Sequence, residues 1–374
     1  MTLKVMTVLG TRPEIIRLAC VMPALDEAVN QIIVHTGQSY DRQLKDVFFE
    51  DLGLRTPDIV LPSDTSSLGK FLGDTISGVD ALIDEHRPDA LLVLGDTNSA
   101  IAALIARRKG VTVYHMEAGN RCFDENVPEE VNRRMIDHIA DFNLVYTEHA
   151  RRNLLAEGLH PRRIFLSGSP LTEVFDHYQS DIESSNILTD LNLATQGYFL
   201  VSMHREETVD HPERLRSLLS ALDELTLYWG LPAIVSTHPR TRKRIAALGM
   251  DVSERLRFLE PFGFFDYNRL QQDSRCVLSD SGTISEESAI LGFPAVTIRD
   301  SMERPEALET GTVMISGLDH DTISSAVNIA CKQWDQKERP ESPIDYQIHN
   351  CSQRVVRLII GTARLNRTWS NLNN

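Results

Sequence analysis

Three acidic positions sit where a parallel α/β sheet would hold a ligand. Asp96 follows the apolar run Ala90–Gly95, Glu117 follows Val111–Met116, and the pair Glu129-Glu130 follows Pro128 and opens a helical stretch. In an open α/β sheet the carboxyl ends of the strands border the crevice where ligands bind. Carboxylates held close together there have pKa values pushed apart, so one site can hold both an acid and a base.

A cationic and hydroxyl-rich set accompanies them. Gly10-Thr11-Arg12-Pro13-Glu14 reads as a strand-to-helix turn in which Gly10 lets the backbone approach a ligand. Arg12 can fork onto phosphate there, beside a helix N-terminus that favours anions. The plainer reading is a helix start with a surface arginine. Ser279-Asp280-Ser281-Gly282-Thr283-Ile284-Ser285-Glu286-Glu287 follows the run Cys276–Leu278 and reads as strand, Ser-Gly turn, helix. Free backbone N–H groups and hydroxyls would point at one spot, a phosphate cradle. Glu287, one turn into the helix, is placed to accept two ribose hydroxyl protons. Thr283 with Glu286 three residues later also reads as a simple capping box. His204, in Met203-His204-Arg205, ends another strand and can hold a leaving phosphate as imidazolium; a satisfied polar residue is the plainer alternative. Thr237-His238-Pro239-Arg240 repeats that pattern more weakly. Arg304, in Glu303-Arg304-Pro305-Glu306, suits a diphosphate or a surface ion pair of little worth.

Other chemistries lack their signatures. His115 and Glu117 do not form HExxH, no Cys/His cluster has zinc spacing, and no GxSxG elbow occurs. There is no Gly-Lys-Ser/Thr P-loop and no glycine fingerprint for a dinucleotide, so neither a metal nor a tightly bound nicotinamide cofactor is indicated. Asn350-Cys351-Ser352 and Asn366-Arg367-Thr368 match glycosylation sequons, which is coincidence in a chain read as having no secretory leader.

These residues must be positioned by many short elements. Short apolar runs alternate with helical patterns throughout, the βαβ signature of parallel sheets. Strands are expected near Lys4–Leu9, Gln31–Thr36, Ala90–Gly95, Val111–His115, Phe142–Thr147 and Arg163–Ser167. A helix beginning at Pro13 should bury Ile16, Ala19, Cys20, Met22 and Leu25. Beyond Gly168-Ser169-Pro170 come a helix and a polar stretch, Gln179–Gly197. A second series of strands is expected at Tyr198–Met203, Ala233–Thr237, Arg257–Leu259, Cys276–Ser279, Ala295–Arg299 and Thr312–Ser316. The reading is α/β: two Rossmann-like domains, 1–168 with the carboxylates and 169–350 with the phosphate-binding turn. A ligand cleft is expected between them, with a hinge near 168–198. A last amphipathic helix, about Ser352–Leu365, begins a segment 351–374 expected to pack back on the first domain, with a frayed tail at Asn366–Asn374.

Composition fits this picture. The 374 residues suggest about two domains, and 42 % apolar with 24 % charged residues is ordinary for a globular chain. The net charge of −15, from 38 basic and 53 acidic residues, argues against nucleic acid or an anionic membrane as partner. Five cysteines without CxxC spacing argue against a disulfide framework and make a cytoplasmic location the simpler reading. No secretory leader is read at the N-terminus, and no apolar run approaches the ~18–20 residues of a membrane span. No repeat or low-complexity segment is found.

Taken together and in order, six motifs from Gly10-Thr11-Arg12-Pro13-Glu14 to Glu303-Arg304-Pro305-Glu306 resemble the non-hydrolysing UDP-N-acetylglucosamine 2-epimerase family. The resemblance covers almost the whole chain. It implies the two-domain GT-B-like architecture shared with nucleotide-sugar glycosyltransferases, a homodimer, and inversion of C2 of a UDP-2-acetamido sugar without metal or cofactor. It puts Arg12, His204, Ser281, Gly282, Thr283, Glu287 and Arg304 on UDP-binding positions and Asp96, Glu117 and Glu129 on catalytic carboxylates. His204 would also hold the leaving group. Phe262 and Tyr267 fall near the uracil. Arg17 stands where many members carry a lysine near the diphosphate, and Arg133 would serve the diphosphate or a carboxylate. The family chemistry is elimination of UDP to a 2-acetamidoglucal and re-addition, with the order of the carboxylates left open.

Some residues depart from the common bacterial pattern. Asn120 replaces an apolar residue, Thr283 replaces the second glycine of Ser-Gly-Gly, and His35-Thr36-Gly37-Gln38-Ser39-Tyr40-Asp41 replaces a segment that binds an allosteric UDP-sugar. These variants resemble the subgroup that forms UDP-N-acetyl-L-fucosamine from UDP-2-acetamido-2,6-dideoxy-L-talose for bacterial surface polysaccharide. UDP-GlcNAc/UDP-ManNAc interconversion stands close behind. A GT-B glycosyltransferase, a hydrolysing epimerase and a non-catalytic sugar sensor are the competing classes.

Overall fold

A computed structural model describes residues 2–38, 48–250 and 252–369. They form two compact units, Met1–His177 with Asp345–Asn374, and Tyr178–Ile344. The division falls within the helix Pro170–Ser184 and at residue 344, where the sequence reading set it at 168 and 350.

The first unit is a seven-stranded parallel sheet of β1 (Lys4–Leu9), β2 (Asn30–His35), β3 (Ile59–Val60), β4 (Ala90–Leu94), β5 (Thr112–Met116), β6 (Phe142–Val145) and β7 (Ile164–Leu166). Its order is β3-β2-β1-β4-β5-β6-β7. The second is a six-stranded sheet of β8 (Phe199–Ser202), β9 (Ala233–Ser236), β10 (Leu256–Leu259), β11 (Cys276–Ser279), β12 (Ala295–Thr297) and β13 (Met314–Ile315), ordered β10-β9-β8-β11-β12-β13. Strands covered by helices on both faces are apolar along their length rather than alternating, which is why these runs stand out in sequence. All five residues of β4 and all five of β5 are buried. Ile59–Val60 was not expected; two residues at a sheet edge carry no legible period.

In both sheets the order reverses once, between β1 and β4 and between β8 and β11. Such switch points open a crevice at the carboxyl ends of the two strands, where ligands bind. Gly10–Arg12 and Asp96 flank the first; His204 and Asp280-Ser281 flank the second.

Three local expectations are corrected. The helix from Pro13 is two helices, Arg12–Arg17 and Val21–Ala28. Ile16 and Cys20 are only partly buried, while Glu14 and Arg17 go inside, because their polar groups find partners there. Gln179–Ser184 continues the helix from Pro170, with Tyr178 and Ile182 buried one turn apart. The final helix runs Cys351–Trp369, so Asn366–Trp369 are helical rather than frayed. This helix docks on the first unit. The Tyr114 hydroxyl is 2.6 Å from Thr362 Oγ1, Thr112 Oγ1 donates to the Ala363 carbonyl at 2.9 Å, and Trp369 meets Phe142 edge-on at 6.4 Å. Ser39, Tyr40 and Asp41 of the variant His35–Asp41 segment, and Ser370–Asn374 of the tail, lie outside the described residues. Among the described residues no helix is long and apolar enough to cross a membrane.

Candidate active site

In the first unit the turn after β1 is tied across the switch point by Glu14. Glu14 Oε2 accepts hydrogen bonds from Gly10 N, Thr11 N and Thr11 Oγ1 at 2.8–2.9 Å, and Oε1 accepts from Thr97 Oγ1 at 3.0 Å. Burial pushes the Glu14 carboxyl up to about 7, against those four hydrogen bonds. Gly10 is needed at this junction, since a Cβ would lie 2.1 Å from Thr36 Oγ1 and 2.3 Å from Ser99 Oγ. The guanidinium of Arg12 stacks over Phe48 at 4.3 Å.

Asp96 and Glu117 leave adjacent strands, and each meets an arginine. Arg133 donates through Nε to Asp96 Oδ2 at 2.9 Å, with Nη2 2.7 Å away. Its Nη1 also donates to Glu130 Oε2 at 3.0 Å. Arg17 Nη1 meets Glu117 Oε2 at 2.5 Å with both side chains buried. Arg17 and Arg133 therefore both lie against carboxylates of the site. Glu117 has a left-handed backbone, φ 66°, unusual for a residue with a side chain. Its Oε1 accepts from Asn120 Nδ2 at 3.4 Å.

The two acidic neighbours at the start of helix Pro128–Ile139 differ sharply. Glu130 is buried and accepts from the Cys122 amide, the Cys122 thiol and Arg133. Burial would raise its carboxyl, but the Cys122 amide and Arg133 outweigh it and the net shift is downward. Glu129 is half-buried and makes no hydrogen bond or ion pair among the described residues. Of Asp96, Glu117 and Glu129, two are thus held by arginine and one is left available.

In the second unit His204 and Asp280 meet across β8 and β11. His204 Nδ1 lies 2.9 Å from Asp280 Oδ1, and the His204 and Arg205 amides donate to Asp280 Oδ2 at 2.8 and 2.9 Å. Asp280 raises the pKa of His204 more than burial lowers it. Asp280 is fully buried, yet His204 and the two amides hold its carboxyl below the usual range. The His204 side chain is half exposed, so its other ring edge is available to a ligand. His238, in the weaker repeat, caps the helix Pro239–Leu248 by accepting from Arg240 N at 3.3 Å; burial and nearby His204 lower its pKa.

The Ser-Gly turn is stitched internally. Ser281 N donates to Ser279 Oγ at 3.0 Å, and the Ser281 and Thr283 hydroxyls meet at 2.9 Å. The capping-box alternative does not form: Glu286 is fully buried against Arg304, at 2.8 Å from Nε. Arg304 is itself buried, with Nη1 donating to the Gly282 carbonyl at 2.8 Å. It braces the turn from behind and is buried, which corrects the surface-pair alternative. A Cβ at Gly282 would fall 2.5 Å from Glu303 Oε1. Glu287 Oε2 accepts from Gln271 Nε2 at 2.6 Å, which orients the carboxylate. Phe262 and Tyr267 pack, partly buried, on the core under β11 and β12. Among the described residues no cluster of three or more His, Cys, Asp or Glu side chains could hold a metal.

Sequence reasoning left Glu14, Asp137, Arg121 and Asp280 without roles. Asp280 stood inside a motif already singled out, next to Ser281. Asp137 and Arg121 gave no signal, because their partners are far away in the chain.

Two doubly wound parallel sheets, each with its candidate groups at the switch point, define a protein of the GT-B-like α/β class. The model for the family described as UDP-N-acetylglucosamine 2-epimerase matches residues 24–360. The solved UDP-N-acetylglucosamine 2-epimerase of Rickettsia bellii is 42 % identical, with a TM-score of 0.92 over 98 % of this chain and 99 % of that one. The Methanocaldococcus jannaschii UDP-GlcNAc 2-epimerase, solved with UDP-GlcNAc and UDP, is 32 % identical, with a TM-score of 0.89 over 96 % and 100 %. The UDP-2,3-diacetamido-2,3-dideoxy-D-glucuronate 2-epimerase of Pseudomonas aeruginosa is 34 % identical over 86 % of this chain and 90 % of its own length. The chain belongs to the UDP-N-acetylglucosamine 2-epimerase family, in its non-hydrolysing branch, and is an isomerase.

Proposed function

We propose that this isomerase inverts C2 of a UDP-2-acetamido sugar by eliminating UDP to a 2-acetamidoglucal and adding it back. Inversion needs a base on one face of C2, an acid on the other, and cations for the departing diphosphate. Asp96, Glu117 and Glu129 share the proton transfers. The observation that carries this reading is their division of labour: Asp96 is oriented by Arg133 and Glu117 by Arg17, while Glu129 has no partner among the described residues to give up. His204, whose charged form Asp280 favours, the Ser281–Thr283 turn and Arg12 take the diphosphate. Glu287 takes the ribose, and Phe262 and Tyr267 the uracil. Arg304, bracing the turn, serves the same diphosphate, and Arg17 and Arg133 orient carboxylates beside it.

The sugar we favour is UDP-2-acetamido-2,6-dideoxy-L-talose, converted to UDP-N-acetyl-L-fucosamine in the cytoplasm by a homodimer, for bacterial surface polysaccharide. Asn120 supports this: a buried amide beside the Glu117 carboxylate changes the polarity of the wall nearest the reacting group. That a relative is named for a diacetamido-glucuronate agrees with a family spanning several sugars. UDP-GlcNAc is the second reading, supported by the M. jannaschii relative solved with it. Proton NMR in deuterated water tests both, with the two UDP-sugars offered side by side. Deuterium at C2 with no net UDP release is expected; stoichiometric UDP release, or no C2 exchange with either sugar, overturns the proposal.

A further inference from the structure

The loop that carries Glu117 is held by a buried polar network that has no place in the proton transfers. His115, the last residue but one of β5, is 1 % exposed. Its Nε2 donates to the Gly95 carbonyl, an acceptor only, at 3.0 Å, and its Nδ1 lies 2.9 Å from Asp137 Oδ1. Asp137, on the helix that begins with Pro128, is fully buried. Its carboxylate also receives the Gly119 amide at 3.2 Å and Arg121 Nη1 at 2.8 Å. Arg121 in turn donates to the Asn120 carbonyl at 2.7 Å and makes a two-pronged pair with Glu157, both contacts at 2.7 Å.

The positions of these contacts matter. Gly95 precedes Asp96, and Gly119 and Asn120 follow Glu117 by two and three residues. Gly95 N also donates to the Met116 carbonyl at 2.9 Å. One imidazole and one backbone bond therefore fix the end of β4 against the end of β5, while one carboxylate fixes the far side of the Glu117 turn. The strained residue lies between them: Glu117 has φ of 66°, flanked by Gly95 and Gly119 at 75° and 82°, which glycine adopts freely. A non-glycine residue in that region costs of order 1–3 kcal/mol and persists only where its surroundings over-determine it. The turn packs closely on the next helix: a Cβ at Gly119 would lie 2.4 Å from the Ala150 carbonyl.

We infer that Asp137 is a positioning residue for epimerisation, acting through His115 and Gly119 to hold Glu117 at a fixed place relative to Asp96. This rests on the epimerase reading above. Asp137 is fully buried with its carboxylate on His115, Gly119 and Arg121; it restricts where two reacting carboxylates can be. Misplacement of a reacting group by about 1 Å can cost ~10²-fold in rate.

The test compares Asp137→Asn and His115→Gln in the full-length protein, reading kcat, KM, UDP affinity by calorimetry, and thermal unfolding. The Asn variant keeps the shape of Asp137 but turns one acceptor into a donor facing Arg121 or Gly119. Both variants should lose roughly 10²-fold in kcat, with KM and UDP affinity changed less than about threefold, since the diphosphate groups proposed on the second unit are untouched. Thr172→Ala serves as the control, removing a buried hydrogen bond to the Tyr346 carbonyl in the same unit. It should destabilise the protein and leave kcat within about twofold. Variants that turn over at near wild-type rate, or that lose UDP binding in proportion to turnover, overturn the inference. So does failure of both to fold cooperatively, which would make the network structural only. Absence of C2 exchange in the wild type sinks the epimerase reading itself and is distinguishable from these outcomes.

Discussion

Arg17 Nη1 and Glu117 Oε2 lie 2.5 Å apart, joining residues one hundred positions apart in the chain within a nearly dry environment. The pair makes Arg17 the orienting partner of Glu117 on the first unit. Removing one member of a buried ion pair strands the other charge and costs about 3–5 kcal/mol. Arg17→Met should therefore lower thermal stability and abolish C2 exchange together. Arg17→Lys keeps the charge but loses the fork. It should retain folding and exchange within roughly tenfold of wild type, matching the lysine that many family members carry. Equal loss in both variants would show that guanidinium geometry, and not charge, holds Glu117.

Removing charge without changing shape should separate binding from chemistry. Asp96→Asn, Glu117→Gln and Glu129→Gln should each keep UDP affinity and lose about 10²–10⁴-fold in kcat, the range for a positioned acid or base. Their stabilities should differ. Asp96 and Glu117 each sit against an arginine, so neutralising them destabilises the fold. Glu129 has no partner among the described residues, so Glu129→Gln should stay within about 0.5 kcal/mol of wild type. Near wild-type exchange in any of the three removes that residue from the proton transfers.

This contrast also shows what the sequence could and could not reveal. Strand runs such as Ala90–Leu94 and Cys276–Ser279 are legible because burial on both faces leaves few polar residues in them. The switch-point residues are legible because each directly follows such a run. Pairings are not. Nothing around Arg304 in the sequence shows that Glu286, eighteen positions earlier and also buried, lies against it. Asp137 gives no signal at all, since neither His115 nor Gly119 shares its helix. A polar residue's burial depends on partners from other elements, and periodicity carries no record of them.

The His204–Asp280 pair gives UDP binding a predicted pH dependence. The pKa of His204 is raised in the folded state, chiefly by Asp280. A group raised on folding contributes stability that is fully present below its unfolded value, near 6.5, and lost as pH rises through the folded value. The imidazolium therefore persists above pH 6.5, and UDP affinity should decline only as pH passes the higher folded value. His204→Ala should weaken UDP binding roughly tenfold, as expected for a lost charge-assisted hydrogen bond, and should flatten that profile. Calorimetric titration across pH 6 to 9 (roughly the span that brackets a raised histidine) reads both. An unchanged affinity in the variant would remove His204 from the diphosphate.

Glu14 gives the fold an opposite kind of signature. Its carboxyl is raised from 4.5 to about 7 by burial, so the folded state prefers the protonated form. Its contribution is greatest below pH 4.5 and is lost as pH rises to about 7, with a slope of up to about 1.4 kcal/mol per pH unit. Glu14→Gln removes that titration while leaving the hydrogen bonds satisfiable. The amide oxygen can accept from Gly10, Thr11 N and Thr11 Oγ1, and the amide nitrogen can donate to Thr97 Oγ1 with its hydroxyl rotated. The variant should fold, hold the turn at the β1–β4 switch point, and gain stability on wild type as pH rises from 5 to 8, read as a growing difference in urea midpoint. Parallel stability curves for the two proteins would mean that the four donors keep Glu14 ionised throughout, and that burial at this turn does not govern its charge.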